Sequence, residues 1–134
     1  MDTPAAGYFA AMSYLLSLKT KLSTPLLVET RNWYRDLFNL EVFEEWDEPA
    51  DRGCILGLPG TAAGAYLEIY HCAGPQNFAG ISLQFRVDDV AAFDVPDDPR
   101  FKHRGPVDRP WGSQYLFFSD PNGVSVVVFS GTSL

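Results

Sequence analysis

Several segments of the chain carry polar or charged side chains at every second residue, with apolar side chains between them. Such alternation is typical of β-strands that bury one face and leave the other open to water or a ligand. The residues on this open side of the strands are Ser17, Lys19, Lys21, Tyr66, Glu68, Tyr70, Ser82, Gln84, Arg86, Ser125, Val127 and Phe129. Glu68 is the only carboxylate among them. It is therefore the candidate acid or base, or the group that would bind a cation.

The residues between these positions are almost entirely apolar. They are Leu16, Leu18, Leu67, Ile69, Ile81, Leu83, Phe85, Val124, Val126 and Val128. We expect this side of each strand to pack against helices as core, because successive side chains of a strand point to opposite faces.

Other catalytic patterns are missing from the sequence. His71 and His103 are the only histidines, and for each we expect a solvated or hydrogen-bonded structural role. No Ser–His–Asp or Cys–His arrangement can be argued from the spacings, and there is no glycine-rich phosphate loop. Cys54 and Cys72 are the only cysteines, and we expect free thiols rather than a disulfide.

The composition limits the partners that this chain can have. With 134 residues it is most simply one domain, and its net charge of −7 argues against a nucleic-acid partner. No apolar run is long enough to span a membrane. Residues 1–11 lack the basic start of a secretory signal, so we expect a cytoplasmic protein. We expect these residues to be a loosely ordered extension, with Met12 as an alternative start, and residues 12–134 to form the domain.

The elements that must position these residues occur in the same order twice. The first half predicts a strand, a helix and three strands, at residues 15–22, 26–38, 40–46, 53–58 and 65–71. Ser23-Thr24-Pro25 predicts the start of the helix, through a hydroxyl cap and a proline in the first turn. Trp33 falls on the apolar stripe of this helix and is predicted to be core.

After a break at residues 73–77 the order recurs. The second half predicts a strand, a short helical segment, a weak strand and a hairpin, at residues 81–87, 90–93, 101–107 and 115–129. Asp120-Pro121-Asn122-Gly123 predicts the hairpin turn, because proline and Asn-Gly favour tight reversals. The sequence therefore predicts an α+β fold of two tandem βαβββ units, about residues 12–74 and 78–131.

The segments NWYRDLFNLEVFEEW, FRVDDVAAF and PWGSQYLFFSDPNGVSVVVF, in this order, resemble the vicinal oxygen chelate superfamily. This superfamily includes glyoxalases, extradiol dioxygenases, fosfomycin-modifying enzymes and bleomycin-resistance proteins. The resemblance implies that the two units form a half-open mixed β-barrel with helices packed on the outer face. It also implies a ligand cavity on the concave side of the sheets.

The resemblance places the metal ligands of the superfamily at four positions, which are Lys19, Glu68, Ser82 and Val127 in this sequence. Only Glu68 can coordinate a metal well, since a lysine ammonium has no free lone pair and valine has no donor. We therefore expect no metal of the family type and no other cofactor. Lys19 and Glu68 are instead expected to form an ion pair. That pair either satisfies two semi-buried charges or leaves Glu68 as a base or cation-binding group.

We expect a binding protein that holds a small molecule, such as an antibiotic or an aromatic or cationic metabolite. The resemblance gives Trp111, in the PWG segment, a place in the ligand groove. An acidic pocket with tryptophans at its rim would suit a flat cation. The alternative is a lyase, isomerase or dioxygenase-type enzyme that uses Glu68 as an acid or base, or a divalent metal through other ligands. The exposed sheet edges of an open barrel, together with the resemblance, favour a homodimer.

Overall fold

A computed structural model describes residues 14–60 and 64–132. The predicted extension, residues 1–11, lies outside the described residues. The elements, in chain order, are β1 (Leu18–Thr24), α1 (Leu27–Phe38), β2 (Glu41–Glu48), β3 (Asp51–Gly57), β4 (Ala65–His71), β5 (Ser82–Arg86), short 3-10 turns at Val90–Ala92 and Pro99–Phe101, β6 (His103–Asp108), β7 (Gln114–Ser119) and β8 (Ser125–Ser130). No helix of the described residues is both long enough and apolar enough to cross a membrane.

The strands form two sheets with the same topology. The first sheet has the order β1-β4-β3-β2, and the second has the order β5-β8-β7-β6. In each sheet the first strand of the unit pairs in parallel with the last, and the other pairs are antiparallel. This confirms the predicted α+β fold of tandem βαβββ units.

The second unit has only a 3-10 turn where the first unit has α1. Asp89 begins this turn by accepting a hydrogen bond from the backbone N–H of Ala91 at 3.0 Å. The predicted short helical segment is thus present. Because so short a segment covers little of the second sheet, α1 has to pack against both.

Helix α1 joins the two sheets in one hydrophobic core. The buried Trp33 donates from Nε1 to the carbonyl oxygen of Arg100 at 2.9 Å, which confirms its predicted core position. Phe38, at the end of the helix, stacks on Phe85 of β5 with a centroid distance of 4.1 Å. Tyr34 is fully buried and donates to Asp120 Oδ2 at 2.7 Å. Burial and the neighbouring Asp120 carboxylate raise the pKa of the Tyr34 hydroxyl.

The predicted hairpin turn is confirmed and is tied to the first unit. The other carboxylate oxygen of Asp120 accepts from the backbone N–H groups of Asn122 at 2.7 Å and Val124 at 2.9 Å. Gly123 has a φ of +82°, a conformation that favours glycine. The side chain of Asn122 contacts Thr24 Oγ1 at 2.5 Å and donates to Thr30 Oγ1 at 3.0 Å. The turn therefore connects β1 and α1 to the last hairpin of the chain.

Two predictions for the start of the domain are wrong. Strand β1 begins at Leu18 rather than at residue 15, and it includes Ser23 and Thr24 instead of releasing them as a helix cap. Helix α1 begins at Leu27 after Leu26, which has no side-chain cap. Thr24 still accepts a hydrogen bond from the Leu26 backbone N–H at 2.9 Å.

Three leucine and isoleucine side chains predicted to be core are exposed. Leu16 is 88% exposed and Leu18 is 71% exposed, and Ile81 at the start of β5 is 49% exposed. The reason is register, since Leu22 pairs with Ile69 beneath α1, whereas Leu18 pairs with Ala65 at the far end of β4. Alternation alone gives the side of a strand but not how far along the strand its neighbours reach. The predicted free thiols of Cys54 and Cys72 are confirmed.

Candidate functional site

Each sheet has a side that is turned away from the shared core, and the predicted site residues lie on these two sides. The first face comprises Lys19, Lys21, Ile55, Tyr66, Glu68 and Tyr70, which are paired across β1, β4 and β3. The second face comprises Ser82, Gln84, Arg86, Arg104, Tyr115, Phe117, Ser125, Val127 and Phe129, which are paired across β5, β8, β7 and β6. The predicted residues are thus divided between two sheets.

On the first face the expected ion pair is present. Lys19 Nζ lies 3.1 Å from Glu68 Oε1, and the two side chains are 48% and 10% exposed. Lys21 Nζ lies 4.3 Å from the centre of the Tyr70 ring, a cation–π distance. The carboxylate of the first face and its two ammonium groups therefore already have partners within the protein.

Aromatic side chains at the far end of the first face are held by Asp51. Its carboxylate accepts from Trp46 Nε1 at 2.9 Å. The hydrogen bond from the Tyr70 hydroxyl to Asp51 also raises the pKa of Tyr70. The Trp46 ring lies against Gly53, where an added Cβ would be 2.6 Å from the ring. The sequence offers no pattern that marks Asp51, because it lies at the edge of a charged connection.

On the second face, Val127 and Phe129 form a buried floor. Gln84 is opposite Val127 in the sheet, and its side-chain amide contacts Ser82 Oγ at 3.5 Å. Arg86 is opposite Phe129 and donates from Nη2 to the Gly131 carbonyl oxygen at 3.3 Å. The polar residues of β5 therefore lie along one side of an apolar floor.

Aromatic rings cover this floor and form a cluster that is separate from the core. Tyr115 lies at its centre, 5.9 Å from Phe129, 5.8 Å from Phe117 and 6.2 Å from Trp111. We call Trp111, Tyr115, Phe117 and Phe129 the aromatic cluster. Trp111 is 48% exposed and lies at the edge of the cluster, where it contacts Tyr115. Phe129 is buried, whereas Trp111, Tyr115 and Phe117 are at least partly exposed, so a ligand can stack on these three rings.

Two arginines that the sequence did not single out lie against these rings. The guanidinium of Arg104 is 4.0 Å from the centre of Phe117. That of Arg109 is 4.7 Å from Trp111 and 5.5 Å from Tyr115. A register shift between Arg104 and Val107 breaks the alternation in β6, which hides the side on which Arg104 lies, and Arg109 lies just beyond this strand.

The expected acidic pocket is not what the structure shows. The strand-paired residues of the second face include no carboxylate, and arginines lie around its aromatic cluster. On the first face Glu68 is already paired with Lys19. The net charge of the chain misled the prediction, because most acidic residues lie in connections and on other surfaces.

The residues at the four family ligand positions do not fit a metal ion. Glu68 is the only good donor among Lys19, Glu68, Ser82 and Val127, and Val127 is buried in an apolar floor. The described residues contain no group of three or more His, Cys, Asp and Glu side chains that could hold a metal ion. A divalent catalytic site generally takes about three protein ligands.

A cavity of about 450 Å³ opens between the two sheets beneath Phe38. Its walls are mainly core side chains such as Leu56, Leu67 and Phe85, with Gln84 and Arg86 at one end. A built ligand site combines apolar walls with convergent polar groups. This cavity has few such groups, whereas the second face combines an aromatic cluster with arginines, so the second face is the better candidate site.

Comparison with known proteins supports this description of the fold. The model of the Glyoxalase/Bleomycin resistance protein/Dioxygenase superfamily matches residues 19–128. The chain is similar to TnmS3, an antibiotic binding protein from Streptomyces sp. CB03234, with 17% identity, 91% of this chain and 98% of that chain covered, and a TM-score of 0.69. It is also similar to the fosfomycin resistance protein FosX from Listeria monocytogenes, with 15% identity, 90% and 94% covered, and a TM-score of 0.66. No protein of curated function is significantly similar in sequence.

Proposed function

Because the chain belongs to the glyoxalase/bleomycin resistance protein/dioxygenase superfamily, we propose that it binds a small aromatic molecule on the second face. The observation that carries this proposal is the aromatic cluster, which is separate from the core and has the half-exposed Trp111 at its rim. Stacking on such rings provides affinity for many flat ligands. An antibiotic is one class of ligand that a protein of this kind would bind, because TnmS3 is an antibiotic binding protein.

We propose that this binding does not use a metal ion. The support is the donor set, in which Lys19, Ser82 and Val127 replace ligands at three of the four family positions. Metal analysis of protein purified without chelator should find no stoichiometric divalent ion. One tightly bound Zn, Ni, Mn or Fe per chain would overturn this part of the proposal.

The aromatic cluster can be tested with a matched pair of variants. Trp111 is 48% exposed on the second face and Phe43 is 41% exposed on β2, outside the second face. Planar bicyclic and tricyclic aromatic compounds would be screened by thermal shift and then by calorimetry. For any compound that binds, Trp111→Ala should weaken affinity by about 30-fold, the effect of losing an aromatic residue on which the ligand stacks. Phe43→Ala should leave the affinity unchanged, and equal losses in both variants would contradict the assignment.

Glu68 supports a second candidate function, that of an acid–base enzyme. Its carboxylate is nearly buried and lies beside the half-exposed ammonium of Lys19, an arrangement that can transfer a proton. Mass spectrometry after incubation with each identified ligand would detect turnover. Product that forms with the parent protein and with Lys21→Gln, but not with Glu68→Gln, would favour the enzyme over the binding protein.

We also propose that the protein is a cytoplasmic homodimer. The free thiols suit a reducing compartment. β1 and β5 are edge strands, and exposed Leu18 and Ile81 lie on or beside them. Sedimentation analysis should give a dimer, and Leu18→Lys should shift it toward monomer. Val28→Lys, at an exposed position of α1, is the control and should leave the dimer intact. A monomer in the parent protein would contradict this proposal.

A further inference from the structure

We propose that the ligand of the second face is a flat aromatic compound with an anionic substituent, such as a carboxylate or sulfonate, and that Arg104 and Arg109 bind the anion. This inference rests on the proposed function and specifies its ligand class. It also replaces the cationic ligand that the sequence led us to expect.

The arginines of the chain differ in whether they have a carboxylate partner. Each of the arginines at positions 31, 35, 52 and 100 has a carboxylate oxygen within 2.5 to 3.0 Å. Among the described residues, Arg104 and Arg109 have no such partner, and both contact the aromatic cluster. Carboxylates are plentiful, since the sequence has 17 acidic and 10 basic residues. In so acidic a chain, two arginines without counter-ions on one face indicate that the counter-ion belongs to the ligand.

Arg109 is partly buried. Its Nε atom is buried and has no hydrogen-bond partner within the described residues. A buried donor without an acceptor costs free energy, and the cost is larger for a charged group. An anion at the same guanidinium would offset this cost through a charge-assisted hydrogen bond.

Stacking on the aromatic rings also orients the guanidinium groups of Arg104 and Arg109. Arg109 lies over Trp111 at 4.7 Å and Arg104 lies over Phe117 at 4.0 Å. A guanidinium that stacks on a ring keeps its in-plane N–H groups free to donate to a carboxylate or sulfonate. The rings and the guanidinium groups can therefore bind the two parts of one aromatic anion.

The positive charge around the aromatic cluster disfavours a cationic ligand. A cationic compound on the aromatic cluster would lie beside Arg104 and Arg109, with Arg86 opposite Phe129. The strand-paired residues of this face offer no carboxylate in compensation. Like charges at such distances repel, so a cation would bind less tightly than a neutral compound of the same shape.

The test uses three probes with one ring system: 2-naphthoate, 2-naphthamide and 2-naphthylmethylamine, which are anionic, neutral and cationic at neutral pH. Calorimetry with the full chain should show that naphthoate binds about tenfold more tightly than naphthamide, as one charge-assisted contact predicts. The amine should bind least. Added salt should weaken naphthoate binding but leave naphthamide binding nearly unchanged.

Variants assign the effect to the two arginines. Arg109→Gln and Arg104→Gln should each reduce the preference for naphthoate over naphthamide several-fold and leave the naphthamide affinity within about twofold. Arg52→Gln removes an arginine that is paired with Asp47 and should leave the preference unchanged. Arg104 is exposed, so its variant should fold even if that of Arg109 does not.

The possible failures are distinguishable. If naphthoate and naphthamide bind equally and both lose affinity in Trp111→Ala, the anion inference is overturned and the aromatic-binding function stands. The same holds if naphthylmethylamine binds most tightly. If none of the three probes binds the parent protein and no compound of the wider aromatic screen does, both the inference and the proposed function are overturned.

Discussion

The two faces are built from the same unit and the same strand order, yet they treat charge in opposite ways. On the first face Lys19 is paired with Glu68, and Lys21 lies over Tyr70. On the second face Arg104 and Arg109 lie over aromatic rings and have no carboxylate partner among residues 14–60 and 64–132. The charged groups of the first face have partners within the protein. The two arginines of the second face have no carboxylate partner among the described residues, so a ligand could supply one. A repeated unit can thus keep one fold while only one copy carries the candidate ligand chemistry.

The core sides of the two sheets are much more alike than the faces. Leu67 and Ile69 of β4 are buried as Val126 and Val128 of β8 are, and all four belong to the shared core around α1. Packing constrains this side, because a change of even one methylene group in a close-packed core alters stability. The opposite side of each sheet does not pack against this core, and its residues differ between the two units.

The largest effect should come from the joint between the units. Asp120→Ala removes the acceptor for Tyr34 and for the backbone of the hairpin turn. We expect the free energy of unfolding to fall by about 2–4 kcal/mol, because a buried donor loses its partner and the turn loses two hydrogen bonds. Urea unfolding measures this. Asp94→Ala, at an exposed position, is the control and should change stability little. A similar stability for both variants would mean that the two sheets do not depend on this joint.

A smaller effect should distinguish the two faces directly. Lys19→Met leaves the nearly buried Glu68 without its partner, so the free energy of unfolding should fall by about 1–3 kcal/mol. Arg104→Met removes an arginine without a carboxylate partner and should change stability by less than about 0.5 kcal/mol. Adding Glu68→Gln to Lys19→Met should recover part of the loss. If Arg104→Met destabilises as much as Lys19→Met, the contrast between the faces is wrong.

Acid should reduce the contribution to stability of the ion pairs that Arg35 and Arg100 form. The contribution of Arg104 should not change. Hydrogen bonds from Arg35 and then Arg100 lower the pKa of Asp36, and those from Arg100 lower the pKa of Asp98. Their folded pKa values lie below the ordinary value of 3.8, so their contribution to stability is complete above that value. It is lost as the pH falls through the folded pKa values.

Thermal unfolding measured from neutral pH down to about pH 3 would follow this loss. Arg100→Gln should flatten the pH dependence, because it removes a partner of both carboxylates. Arg104→Gln should leave the dependence as it is. An unchanged acid profile in Arg100→Gln would contradict the role assigned to this pair of carboxylates.

The smallest perturbation is thiol labelling, which compares the core side of the first sheet with the segment that follows β4. Cys54 lies on the core side, and burial raises its pKa to about 11. Cys72 lies just beyond β4, is only half-buried and donates to the Gly74 carbonyl oxygen at 3.0 Å. Since the thiolate is the reactive form, Cys72 should react with a disulfide reagent at neutral pH much faster than Cys54. Equal rates for Cys72→Ser and Cys54→Ser variants would show that the core side opens readily.

Much of the fold could be predicted because it depends on local patterns. The alternation of β4 and β8, the apolar stripe with Trp33 and the Asp-Pro-Asn-Gly turn are written in neighbouring residues. The Lys19–Glu68 ion pair was predicted from the ligand positions that the family resemblance implies, whereas strand register places Lys21 opposite Glu68. The exposure of Leu18 was not, because it depends on where α1 and β4 end in space.

Sequence patterns predicted only part of the candidate site. Arg104 and Arg109 precede a hairpin in a stretch without clean alternation, and only the pairing of β6 with β7 brings Arg104 against Phe117. Tyr115 and Phe117 lie in a continuous apolar run, so their side of the sheet is hidden as well. Net charge was a poor guide to local charge, because a sum over the chain contains no distances.

By itself the sequence determined the two βαβββ units, their turns and the mismatch between the family ligand positions and any metal ion. The units and their turns follow from residue type and from periodicities of a few residues, which covalent geometry imposes on any chain. The mismatch depends also on the family resemblance, which implies the ligand positions. Only the tertiary structure decided that α1 serves both sheets, and that Arg104 and Arg109 meet one aromatic cluster. The physical reason is that the field at a site depends on distances between residues far apart in the chain, and packing alone sets these distances.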